Sequence, residues 1–221
     1  MAGLTYAIGD IHGRLDLLRQ AALKVAAHAA GRAHRIVCLG DYVDRGPDSR
    51  GVIEFLMRET AAGRCICLKG NHEAMMLEAL RGQQMAFWLR NGGEETLASY
   101  SGEVPRAHLD WLETLPVTLV EADRIYVHAG LRPGRPLAEQ DEDSCLWIRE
   151  RFLRAPAADL PGHVVHGHTP HHADKPDPEL PERLAHRTNL DTGAFATGVL
   201  VVGVFEADRP GGPIELIEVT V

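Results

Sequence analysis

The sequence predicts an α/β fold with mixed sheets, carried by one domain spanning residues 1–221. Three observations lead there. Short apolar runs alternate with amphipathic stretches through the first half of the chain, a strand–helix rhythm. Beyond Pro116 the rhythm gives way to apolar runs paired across polar turns, the mark of hairpins. With 45% hydrophobic and 24% charged residues the chain can bury a substantial core, and no linker or internal repeat divides it.

Residues 4–9 read as a short buried strand. A helix follows over 15–30, with Leu15, Leu18 and Leu23 punctuating an alanine-rich run and Gly31 ending it. Residues 35–39 form a second apolar run. Residues 49–61 place Val52, Ile53, Leu56 and Met57 on one helical face, with Gly63 beyond. A third strand covers 65–68. Helix resumes over His72 to Leu80 and again around Gln84 to Arg90. The stretch "NGGEETLASY" (91–100) breaks that helix and starts another at about Glu94. A short helix over 106–113 ends before Pro116. Strands at 117–120 and 125–128 form a hairpin around Glu121 to Arg124. Residues 163–166 are a further strand, Pro170 to Pro181 a loop, and 199–206 with 214–221 a closing hairpin.

Acidic residues outnumber basic ones by 31 to 23, a formal charge of −8. That balance disfavours a general binder of nucleic acid or anionic membrane. It leaves a phosphorylated substrate open, since metal ions reverse the local field. The four cysteines are Cys38, Cys65, Cys67 and Cys145, with no CxxC pair. Cys65 and Cys67 flank Ile66, so both point to one side of a strand. They read as buried free thiols of a reducing compartment. The start "MAGLTYAIGD" lacks the basic-then-apolar pattern of a leader, and no apolar run reaches the about 18 residues of a membrane span. The expectation is a cytoplasmic protein.

One local pattern recurs: an apolar run ends, and glycine with a metal-capable side chain follows. The cases are "IGDIHG" (8–13), "LGDYVDRG" (39–46), "KGNHE" (69–73), "VHAG" (127–130) and "HGHT" (166–169). Singly, an aspartate after a strand is often a helix cap, and "HGHT" could be a polar turn. Ligands of open α/β sheets sit beyond the carboxyl ends of strands, so one edge can gather all five. Together they suggest a two-metal hydrolytic site, in which a shared carboxylate offsets the repulsion of two close cations. Mixed oxygen and imidazole donors suit manganese, iron or zinc better than magnesium or calcium. An arginine fork fits phosphate oxygens.

In this order GDxHG, GDxxDRG, GNHE, HAG and GHT resemble the serine/threonine phosphoprotein phosphatases of the calcineurin-like metallophosphoesterase superfamily, the compact bacterial and phage members above all. The likeness runs from Gly9 to Gly193. It implies a β-sandwich of two mixed sheets flanked by helices in four layers, with two divalent metals at one edge, manganese first and iron or zinc as alternatives. Carried over, Asp10 and His12 bind the first metal and Asp41 bridges both. Asn71, His128 and His168 complete the second. His72 resembles the general acid and Asp44 its orienting partner, which fixes the ring tautomer and raises its pKa. Arg45 and, on the W-x-R-like "CLWIRERF" (145–152), Arg149 would hold phosphate. Asp48, Glu73 and Asp191 take supporting roles. His166 reads as a packed strand-end histidine, Trp147 as core or pocket wall. His171 and His172 are either pocket rim or solvated.

The resemblance implies hydrolysis of a phosphomonoester by direct attack of a metal-bridging hydroxide. The substrate would be a phosphoserine or phosphothreonine protein or a small phosphoester, with no nucleic acid or membrane partner. The main alternative is the related hydrolysis of symmetric dinucleoside tetraphosphates, or of nucleotides broadly. Those relatives commonly have "GNHD" where this chain has "GNHE", and depart from "DRG". A phosphate-binding module without activity should lack a ligand or the acid histidine, and none is missing.

Overall fold

The computed structural model describes residues 3–170 and 182–221. The first half runs β1 (Leu4–Ile8), α1 (Leu15–Ala29), β2 (His34–Cys38), α2 (Ser49–Ala61), β3 (Cys65–Cys67), α3 (Asn71–Leu80) and α4 (Met85–Trp88). A π-helical turn over Leu89–Gly93 leads into α5 (Glu94–Ser99), and α6 (Arg106–Glu113) follows. The second half runs β4 (Thr118–Glu121), β5 (Arg124–Val127), α7 (Glu142–Trp147), α8 (Glu150–Leu153), β6 (His163–His166), β7 (Arg187–Asn189), α9 (Ala194–Thr197), β8 (Leu200–Glu206) and β9 (Glu215–Val219).

The strands form two mixed sheets, ordered β3-β2-β1-β8-β9 and β4-β5-β6-β7. β1, β2 and β3 are parallel, as are β5, β6 and β7, while β8, β9 and β4 join antiparallel. The period of two along β1 explains the layering. Leu4, Tyr6 and Ile8 face the helices with Leu18, Val52 and Ile53, while Ala7 faces the second sheet. Val37, Leu39, Tyr126, Val165 and Phe205 fill the space between the sheets. Beyond the second sheet, Val127 and Val164 pack on Cys145 and Phe152 of α7 and α8. Fully burying side chains of this size contributes about 1.5–3 kcal/mol each. The result is the expected helix/sheet/sheet/helix stack. Among the described residues no helix is long and apolar enough to cross a membrane.

Three departures from the sequence reading matter. β7 and α9 were not foreseen, because neither "RTN" nor "AFAT" carries a usable period. The helix expected to break at Asn91 instead passes through the π-helical turn, where Gly92 has φ +107°. A Cβ on Gly92 would stand 2.6 Å from Arg45 N, and Gly92 O accepts a hydrogen bond from that nitrogen at 3.2 Å. The glycine lets the α4–α5 region seat directly on the loop carrying Asp44 and Arg45. Apart from Pro170, the proline-rich loop, with His171 and His172, lies outside the described residues.

Candidate metal centre

The parallel strands end at one edge, and their following loops meet there. Those loops are tightly bent. Among the described residues nine non-glycine positions have positive φ, and five belong to the expected site: His12, Asp41, Asp44, Arg45 and His168. Such backbone is strained and persists where surrounding contacts over-determine it. Glu73, at the start of α3, supplies much of that determination. Its buried carboxylate accepts from the backbone N–H of Gly70, Asp41 and Tyr42 at 2.8 Å each and of Val43 at 3.3 Å. Gly70 must be small here, since a Cβ would lie 2.3 Å from Asp41 N and Oδ1. Asp48 caps α2 by accepting from Gly51 N at 2.8 Å. Both residues are therefore structural, as expected.

The loops bring together two donor groups that share Asp41: His12–Asp41–His72 and Asp41–His128–His168. Asn71 Oδ1 lies 2.8 Å from both His128 Nε2 and His168 Nδ1, which are 3.1 Å apart. Asp41 Oδ1 is 3.4 Å from His128 Nε2, and its Oδ2 is 3.5 Å from His12 Nε2. An ion about 2.0–2.2 Å from each donor would space neighbouring donors about 3.0–3.5 Å apart. The tautomers agree. His12 Nδ1 donates to Val43 O at 2.8 Å and His128 Nδ1 to Leu39 O at 3.0 Å, which makes each Nε2 the lone-pair nitrogen, on the side of Asp41. His168 Nε2 is buried with no partner among the described residues, while its Nδ1 faces the cluster. The residues fit a pair of divalent cations. Asp10 lies in the same buried pocket; its carboxylate accepts from His168 N at 3.1 Å and borders Asp191. Asp191 in turn accepts from Gly193 N at 2.9 Å, a loop-shaping role.

Electrostatics point the same way. Burial, then the neighbouring Asp191 and Asp41, pushes the Asp10 carboxyl well up; burial, then Glu73, does so for Asp41. Burial lifts Asp191 to about 6 and Glu73 to about 7. Burial likewise drives His12 and His168 well down and His128 to about 3. Carboxylates crowded against neutral imidazoles call for cations.

His72, itself in the first donor group, turns its other nitrogen away from that group, Nδ1 donating to Asp44 Oδ2 at 2.6 Å. Trp88 Nε1 and Thr96 Oγ1 also donate to the Asp44 carboxylate, at 3.0 and 2.7 Å. His72 Nε2 therefore faces the cleft, 3.8 Å from Asp41 Oδ2. Arg45 spans the two imidazoles, with Nη1 donating to His12 Nε2 at 2.8 Å and Nη2 to His72 Nε2 at 3.0 Å, under the ring of Phe195. Arg149 precedes α8 and donates from Nη1 to His168 O and Thr169 Oγ1, both at 3.0 Å. It lines with Arg45 and His168 a cleft of about 650 Å³. One expectation is corrected. His72 is held well below its ordinary pKa, by burial first and then by Arg45 and Arg149, so the net shift in the free chain is downward despite Asp44.

The remaining sequence readings fall into place. His166 is fully buried, edge-on to Phe152 and near Arg187, away from the donor cluster. Trp147 is part-exposed and forms pocket wall, not core. Trp88, Thr96 and Phe195 escaped sequence reasoning, since none belongs to a motif; only the adjoining "LDTGA" points toward Phe195.

Comparison with known proteins places this geometry. Residues 4–196 match the family described as calcineurin-like phosphoesterase. Serine/threonine-protein phosphatase 1 of Salmonella typhimurium is 28% identical over 211 residues, covering 89% of each chain. A symmetrical bis(5'-nucleosyl)-tetraphosphatase of Nitrosococcus oceani is 32% identical over 155 residues, 68% of this chain and 51% of that one. The crystal structure of a metallophosphoesterase from Sphaerobacter thermophilus covers 98% of this chain and 90% of its own, with a TM-score of 0.60 and 22% identity. With the family match spanning every strand-end cluster, the chain belongs to the calcineurin-like phosphoesterases.

Proposed function

We propose that this metallophosphoesterase is a protein serine/threonine phosphatase that hydrolyses phosphomonoesters directly. The family implies a dinuclear divalent centre. In this reading Asp10, His12 and Asp41 would hold one ion, and Asp41, Asn71, His128 and His168 the other, with manganese as the ion and iron or zinc as alternatives. When bound, the ions polarise phosphoryl oxygens and lower the pKa of water. The chain's own residues do the rest. Arg45 and Arg149 fork the phosphate oxygens. His72 gives its Nε2 proton to the departing alcohol, while Asp44 holds Nδ1–H. Burial, and after it the repulsion of Arg45 and Arg149, keeps His72 neutral; a phosphate dianion lying against both arginines offsets the repulsion and so shifts His72 toward the acid form.

The observation that carries the reading is the buried His72–Asp44 pair at 2.6 Å, at the edge of the donor cluster. A serine or threonine alkoxide is a poor leaving group and needs that proton; a nucleoside diphosphate leaves as a stabilised anion. A second reading, symmetric dinucleoside tetraphosphate hydrolysis, draws support from the Nitrosococcus relative and from Arg90 and Phe195 in the same cleft. The deciding comparison is kcat/KM of the manganese-loaded protein on phosphoserine and phosphothreonine peptides against diadenosine tetraphosphate. Peptide preference is expected; preferential release of two ADP molecules would move the assignment to the dinucleotide. His72→Ala should lower turnover about 100-fold or more on a phosphoserine peptide. It should cost much less on p-nitrophenyl phosphate, whose phenolate leaves unaided. Equal losses on both substrates would refute the acid role.

A further inference from the structure

Three of the four cysteines meet away from the cleft. Cys38 and Cys67 are directly opposed across the parallel β2–β3 ladder, and Cys65 lies two positions before Cys67 on the same face. Cys65 Sγ is 3.6 Å from both Cys38 Sγ and Cys67 Sγ. All three sulfurs lie within 4.8 Å of one another and are buried between the sheet and α2. A cavity of about 20 Å³, lined in part by Cys38, Cys65, Phe55 and Leu56, adjoins them. That is room for about one small body.

Two of the three possible disulfides are poorly served by this arrangement. Residues two apart on a strand are separated by about 6.6 Å, and a diagonal across a ladder by about 8 Å. The two closest sulfur pairs, Cys65–Cys67 and Cys38–Cys65, are of these two kinds, at or beyond the upper end of the about 4.4–6.8 Å Cα separation of disulfides, whereas the directly opposed Cys38 and Cys67, on strands about 4.8 Å apart, are within it. All three sulfurs are near enough to one another to share one ion. Donors about 2.3 Å from an ion lie about 3.8–4.0 Å apart in tetrahedral or trigonal geometry, close to the 3.6 Å contacts here. Zinc would require a fourth ligand, and the nearby oxygen donor, Thr60 Oγ1 at 3.6 Å from Cys67 Sγ, is a hydroxyl. Soft thiolates without a fourth donor select monovalent copper.

We propose that Cys38, Cys65 and Cys67 form a site for one monovalent copper ion, coordinated by sulfur alone and separate from the phosphoesterase centre. Binding displaces thiol protons, so it strengthens with rising pH. Thr60, whose hydroxyl reaches Cys67, can donate to the charge left on sulfur. β3 is the edge strand of its sheet, so local opening there admits the ion.

The manganese-loaded protein is titrated anaerobically with monovalent copper against a chromogenic chelator, and the copper coordination read by X-ray absorption. One equivalent in a sulfur-only shell is expected. Cys38→Ala and Cys67→Ala should each lose that equivalent, while Cys145→Ala and His128→Ala keep it. A nitrogen- or oxygen-dominated shell in the wild type, or loss of the copper in His128→Ala, would assign the ion to the imidazole cluster and overturn the proposal. So would failure of the folded wild type to compete with the chelator. The wild-type absorption spectrum decides the matter even if a cysteine variant does not fold.

Discussion

Asp44 is a carboxylate with no exposed surface, in backbone that favours glycine, at φ +72°. It survives because three donors converge on it: the His72 ring, the Trp88 indole, which can only donate, and the Thr96 hydroxyl. Burial lifts its pKa to about 7 against the hydrogen bonds from Thr96 and Trp88 and the charge of Arg45. The folded chain thus binds this proton more tightly than the unfolded one. The group's contribution to stability is present below about pH 4 and lost as pH rises toward 7. Function needs the opposite form, because only the carboxylate holds His72 Nδ1–H. Phosphopeptide turnover should therefore rise with pH through about 7 on an Asp44-dependent limb. Asp44→Asn sets an amide N–H against donors, and should lower kcat about 100-fold or more with bound manganese unchanged. Its pH–rate profile should lack that limb; an identical limb in the variant would assign the titration to another group.

At the scale of elements, the first turn of α3 and the loop after β2 are one unit, tied by Glu73 through four backbone N–H groups. Glu73, the last residue of "GNHE", thus points into the loop and not into the cleft. Glu73→Gln replaces one accepting oxygen with a donor and leaves buried N–H groups unmatched, at a cost of about 1–3 kcal/mol. Urea unfolding of the metal-chelated protein should show that loss; an unchanged midpoint would mean that Glu73 does not hold the loop. The helices and strands around this unit were readable to differing degrees. α2, α6 and β6 fall on their expected residues because apolar periodicity and flanking glycine or proline mark them. β7 is three residues long and owes its place to the ladder with β6, a long-range pairing that no local pattern encodes.

Across the whole molecule, the candidate site was legible because strand ends announce themselves locally and parallel strands send them to one edge. What encloses it was not. Trp88 and Thr96 reach Asp44 from 44 and 52 residues away, and Cys38 joins Cys65 only through strand pairing. The same packing gathers Asp10, Asp41, Glu73 and Asp191 in one buried volume, and without cations that gathering destabilises the fold. Their pKa values are raised, so the folded, metal-free chain holds their protons more tightly than the unfolded chain and loses stability as pH rises, through about 6–7 for Asp191 and Glu73. The buried histidines have lowered values and cost stability in the other direction, as pH falls below about 6.5. Divalent cations offset the carboxylate cost. The rise in Tm on adding manganese to chelator-treated protein should thus be larger at about pH 8 than at about pH 6, since protons compete for the same groups. At free manganese of about 100 times its Kd the stabilisation should approach about 2.7 kcal/mol, several degrees in a chain of this size. Asp41→Asn removes the carboxylate common to both donor groups and should abolish most of that rise. A variant that keeps the full manganese-dependent shift would place the stabilising ion outside the cluster, and with it the chemistry assigned to this edge of the sandwich.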